Sequence, residues 1–223
     1  MKKLLIILVV LALSVGTVFA AGTVVGSKHD LRGTGGGTAT NAALIEVCVS
    51  CHTPHQATAA NKQDPLWNHT GTATTGFGVY SSVTMNASPA NIGGSAMGSQ
   101  SVSMLCMSCH DGTVSVISMY NPPNSGNSAA ATTITGRINV SGFIVSNANI
   151  GTDMTDDHPV NFTYDAALVT SDGGLQPVAS VSAYLIGGQV QCASCHDVHD
   201  PTNVPFLRLN NTGSALCLVC HIK

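Results

Sequence analysis

The stretch Gln191-Cys192-Ala193-Ser194-Cys195-His196-Asp197-Val198-His199, followed by Leu216-Cys217-Leu218-Val219-Cys220-His221, contains two Cys-x-x-Cys-His units in close succession. The same unit stands earlier at Cys48-Val49-Ser50-Cys51-His52, with His55 three places on, and at Cys106-Met107-Ser108-Cys109-His110. All 8 cysteines of the chain lie inside these four units, so none remains for a disulfide or a nucleophile.

CxxC spacing by itself serves zinc and dithiol chemistry as well. A histidine directly after the second cysteine in every unit points instead to covalent attachment of haem c. Two thioethers then fix the porphyrin edge and the adjacent imidazole meets the iron. The sequence therefore predicts four covalently bound haem c groups, at 48–52, 106–110, 192–196 and 217–221. The attachment residues are Cys48, Cys51, Cys106, Cys109, Cys192, Cys195, Cys217 and Cys220, and the proximal ligands are His52, His110, His196 and His221.

The N-terminus predicts export. Met1-Lys2-Lys3 is basic, Leu4 to Leu13 is apolar, and Val18-Phe19-Ala20 has the small residues of a cleavage site, so residues 1–20 read as a signal peptide. Ser14, Gly16 and Thr17 interrupt the apolar run before it reaches a comfortable span, and no membrane span is expected after cleavage. Lys and Arg number 8 against 11 Asp and Glu, a formal net charge of −3, and the excess of acid grows once Lys2 and Lys3 are removed. That balance excludes nucleic acid and a polybasic membrane patch.

Charged residues are only 9% and aromatic residues 4%, too few aromatics to fill an ordinary core. We expect one multihaem cytochrome domain over 21–223 in which the macrocycles supply much of the apolar interior. It should be mostly irregular coil, with short α-helices at the CxxCH motifs and a few short β-strands. Residues 33–40 read as a Gly-rich hinge, 41–46 as a helical lead into the first motif, and 121–131 as a surface loop. Alternating runs within 132–145 fit small strands or a hairpin. A polar loop after Tyr164 and a strand-like Val178 to Leu185 lead to the last two motifs. Motifs one and three carry a histidine three places on, and two and four lack it, so the chain reads as a doubled dihaem module with a long insertion.

Four proximal histidines leave His29, His55, His69, His158 and His199, enough to fill every sixth iron position with one to spare. On a helical motif His55 would share a side with His52, and His199 with His196, so each is better placed for a neighbouring haem than for its own. Met104 and Met107 are the nearest competing ligands. Two histidines on every iron would leave no open position, which describes an electron carrier and not an enzyme.

The chain resembles the multihaem c-type cytochromes with doubled CxxCH modules, and in particular tetrahaem subunits of extracellular cytochrome nanowires. The resemblance rests on Ser27-Lys28-His29-Asp30-Leu31, Cys51-His52-Thr53-Pro54-His55, Pro65-Leu66-Trp67-Asn68-His69, Cys109-His110-Asp111-Gly112-Thr113, Asp157-His158-Pro159-Val160, and Phe206-Leu207-Arg208 through Cys217. It implies a fold organised around stacked bis-histidine haems that continue from subunit to subunit. It also implies that His55 ligates a haem of the neighbouring subunit, the one at Cys192 and Cys195, with His29, His158 and His199 as internal distal ligands and His69 as the spare. The expected function is long-range electron transfer in a conductive homopolymer at the cell surface or outside it, passing electrons to extracellular acceptors or redox partner proteins. A monomeric periplasmic shuttle and a reductase with an open haem are the rival readings.

Overall fold

The computed structural model describes residues 23–32, 46–55, 66–72, 76–87, 101–121, 138–139 and 141–222. The signal peptide, the Gly-rich hinge, nearly all of the helical lead and nearly all of the 121–131 loop lie outside these residues.

Regular elements among the described residues are short, and turns carry most of the chain. Strand β1 (Gly78–Val79) pairs in parallel with β2 (Asp153–Met154), placing Gly78 opposite Asp153. Strand β3 (Phe162–Thr163) pairs antiparallel with β4 (Gln189–Val190), placing Phe162 opposite Val190. Within the stretch read as a hairpin, Ile138 and Ile144 form an antiparallel bridge. The Asn139 amide donates to Phe143 O at 2.9 Å and the Gly142 amide to Asn139 O at 2.9 Å.

Helix α1 (Val102–His110) begins where Ser101 turns extended and its Oγ accepts the Met104 amide at 3.3 Å, satisfying one of the unpaired N–H groups of the first turn. Helix α2 (Ala166–Asp172) falls in the segment read as a polar loop. Asp165 caps it by accepting the Leu168 amide at 2.8 Å, and Gly173 closes it at φ 69°. The strand reading of Val178 to Leu185 is also corrected: Val178–Val181 is α3, followed by a 3-10 turn over Ser182–Tyr184. Pro177 presets the entry into that helix. Positions 178, 181 and 185 have helical spacing while 179, 181, 183 and 185 alternate as a strand would, and Val181, common to both, is fully buried. Helix α4 (Cys192–Cys195), a 3-10 turn over Thr212–Ser214 and α5 (Ala215–Cys220) complete the order.

Among the described residues three small apolar clusters take the place of one large core. Ala87, Phe162, Tyr164, Leu168, Leu175, Val181 and Val190 form the largest. Its Tyr164 hydroxyl donates to the carbonyls of Gln176 (2.8 Å) and Cys220 (3.3 Å), tying the fourth motif to the α2–α3 region. Val116, Ile138 and Ile144 form the second cluster, and Phe77, Met107 and Met154 the third. Met107 is wholly buried there and acts as a core residue of α1. Among the described residues no helix is long and apolar enough to cross a membrane.

Candidate functional site

A cysteine, a second cysteine three places on and a histidine one further occupy one face of a helical turn, which is why this spacing presents two thiols and an imidazole together. The turn is present at each motif. The His52 amide donates to Cys48 O at 2.7 Å, His196 to Cys192 O at 3.0 Å and His221 to Cys217 O at 2.9 Å, while α1 runs through Cys106, Cys109 and His110. The first motif is a hydrogen-bonded turn and not a helix. His196 and His221 already have extended backbones, at φ −113° and φ −103°. The helical argument that set His199 beside His196 and His55 beside His52 therefore loses its premise, because the helical turns stop at the motif histidines.

Several imidazoles are held by one nitrogen. Nδ1 of His110 lies 2.6 Å from Ala148 O, Nδ1 of His196 2.9 Å from Pro205 O, and Nδ1 of His158 2.8 Å from Pro159 O. A carbonyl only accepts, so each Nδ1 carries the proton and Nε2 keeps its lone pair. That is the tautomer a metal ligand needs, fixed by the backbone.

The fold brings histidines together in pairs. The ring centres of His52 and His199 are 6.3 Å apart, those of His158 and His221 6.3 Å, and those of His29 and His110 6.1 Å. An ion held at about 2 Å by one nitrogen of each of two facing imidazoles keeps their ring centres about 6 Å apart. All three pairs fit that separation, and each joins a motif histidine to a distant one. His29 adds a second sign of fit, since its Nδ1 is buried with no hydrogen-bond partner among the described residues. Burial, and then the nearby His110, His199 and His196 rings, push the His29 pKa down to about 4, so it stands as a neutral base.

All nine histidines of the chain are among the described residues, and three fall outside these pairs. His69 is 1% exposed, with Nδ1 2.9 Å from Thr70 O and Nε2 3.0 Å from Ser115 O and 3.3 Å from Cys109 Sγ; burial lowers its pKa, so the neutral ring donates its one N–H to one of the two carbonyls. His55 is exposed, and His196 has its Nδ1 on Pro205 O.

The cysteine pairs also meet one another. The Cys106 and Cys192 thiols interact, which raises the pKa of Cys106 and pulls Cys192 down to about 7. Burial holds the Cys109 thiol well above its ordinary value. Among the described residues no three His, Cys, Asp or Glu side chains converge on a point that would hold a metal ion, so the thiols are not gathered as a zinc ribbon gathers them. Each cysteine pair is instead accompanied by its own imidazole.

Residues 186–223 match the family model described as a doubled CXXCH motif. This is consistent with a multihaem c-type cytochrome. The CXXCH units indicate covalently bound c-type haem and suggest electron transfer through it. No curated protein matches the chain significantly.

Some contributors to the site carry no signal in sequence. The carbonyls of Ala148, Pro159 and Pro205 belong to residue types with no affinity for metals, and only the fold places them. The buried contact of Ser103 with Gln191 and Cys192 lies beside the motifs without being part of their pattern.

Proposed function

We propose that the chain is a tetrahaem c-type cytochrome that conducts electrons, with two imidazoles on every iron, and that its copies join into an extracellular filament of stacked haems. When bound, the haem groups supply reversible one-electron chemistry. In this reading His52 and His199 close the site at 48–52, His110 and His29 the site at 106–110, and His221 and His158 the site at 217–221. The observation that carries it is the set of three histidine pairs with ring centres 6.1–6.3 Å apart.

Carbonyls on Nδ1 of His110, His158 and His196 keep those rings in one tautomer and one plane, so the ligands stay in place whichever oxidation state the site holds. With two imidazoles holding each iron, a substrate would find no place at the metal, which favours a carrier over a reductase.

The arithmetic of the pairs supports the assembly. His196 is the one motif histidine outside them, His69 has a backbone carbonyl beside each nitrogen, and His55 is the exposed histidine that remains. His55 of a neighbouring copy then closes the site at Cys192 and Cys195. The electron acceptors are extracellular ones or redox partner proteins.

Electron microscopy of the secreted fraction tests this. The wild-type chain is expected to form filaments, and His55→Ala to abolish them while turning one iron high-spin. Monomers of the wild-type chain with every haem low-spin would establish a shuttle with ligation inside one chain.

A further inference from the structure

The three histidine pairs differ in how their rings are turned. The planes of His52 and His199 are inclined by 13°, those of His29 and His110 by 60°, and those of His158 and His221 by 73°. The crossed orientations are anchored by the fold. His110 is tied through Nδ1 to Ala148 O at 2.6 Å, and the segment that follows is pinned back by the Ile150 and Gly151 amides, which donate to His110 O at 2.8 and 3.1 Å. Opposite it, Phe206 meets the His29 ring edge-on, with centroids 4.5 Å apart and planes at 65°. Phe206 is itself buried and sits at φ 60°, so its ring is a fixed wall against which His29 can take few orientations. On the other crossed pair, His158 is tied to Pro159 O at 2.8 Å.

In a low-spin ferric iron with two imidazoles, parallel rings interact with the same π-symmetry d orbital and split it from its partner. Crossed rings interact with one orbital each and leave the two nearly degenerate. The angle therefore changes the electronic structure of the iron without any change of ligand. We propose that this chain makes its irons inequivalent by ring orientation: parallel at 48–52 and crossed at 106–110 and 217–221, with Phe206 as the positioning residue that turns His29. The inference rests on the two-imidazole reading above and adds to it a built-in difference between sites that have identical ligands.

Low-temperature electron paramagnetic resonance of the oxidised, haem-loaded full chain tests it. A rhombic low-spin signal is expected beside large-g signals from the crossed sites. Phe206→Leu removes the aromatic wall and is expected to shift one large-g signal toward the rhombic class with the iron still low-spin, while Phe206→Tyr keeps the wild-type pattern. Phe206→Met makes the same test if the leucine variant does not accumulate. A single rhombic class for every iron, or an unshifted spectrum in the variant lacking the aromatic ring, overturns the proposal. A high-spin signal from the assembled wild-type chain is a separate readout: it refutes two-imidazole closure, and the ring-orientation claim falls with it.

Discussion

Ser103 and Gln191 clasp the second and third CxxCH helices together: the Ser103 amide donates to Gln191 Oε1 at 3.1 Å, and Ser103 Oγ accepts the Cys192 amide at 3.1 Å. Both side chains are buried, and the clasp lies where the Cys106 and Cys192 thiols meet. Gln191→Ala leaves the Ser103 amide buried without an acceptor, at a cost of about 1–3 kcal/mol. We expect a lower denaturation midpoint for the haem-loaded variant, with the haem count by mass unchanged. A midpoint equal to wild type would mean that the clasp adds nothing to the joint.

His69 separates the structural histidines from the candidate ligands. His69→Leu removes the one N–H that the neutral, buried ring gives to Thr70 O or Ser115 O, and should destabilise the protein by about 2 kcal/mol. Its ferric absorption spectrum should match wild type, all low-spin. A high-spin fraction in this variant would promote His69 to a ligand.

His199→Ala should produce one high-spin iron while leaving filaments intact, because its partner His52 belongs to the same chain. The contrast with His55→Ala is the informative part: the same spectral change is expected with and without loss of assembly. Absorption spectroscopy and microscopy on one preparation of each variant read both properties.

Gly142→Ala should weaken the Ile138–Ile144 hairpin. The residue sits at φ 85°, where an L side chain costs about 1–2 kcal/mol, and a methyl group there would overlap the Ser115 hydroxyl and lie 3.0 Å from Ser115 Cβ. Thermal denaturation should show a lower midpoint, and Gly142→Asn, which tolerates the left-handed region better, should not avoid the clash either.

The motifs themselves were legible in sequence because their chemistry is local: a spacing of three and then one is satisfied within a single turn. Helix α2 was equally local, and its signals, Asp165 before and Gly173 after, were present but submerged in a polar segment. Val178 to Leu185 misled because valines suit strands and the run is too short for alternation and helical spacing to part; Pro177 and burial of Val181 decided it. The pairings His29–His110, His52–His199 and His158–His221 join remote parts of the chain, so spacing alone could not match the five remaining histidines to particular motifs. The backbone carbonyls on the Nδ1 atoms of His110, His158 and His196 have no sequence signature at all.

Near-infrared magnetic circular dichroism of the intact, oxidised and assembled protein tests the central claim most directly, since its charge-transfer band reports the axial ligands of each low-spin haem. The account predicts bis-imidazole intensity equivalent to four haems per chain, falling to three in His55→Ala. A methionine-ligated band, or a high-spin fraction in the assembled wild-type protein, would contradict it.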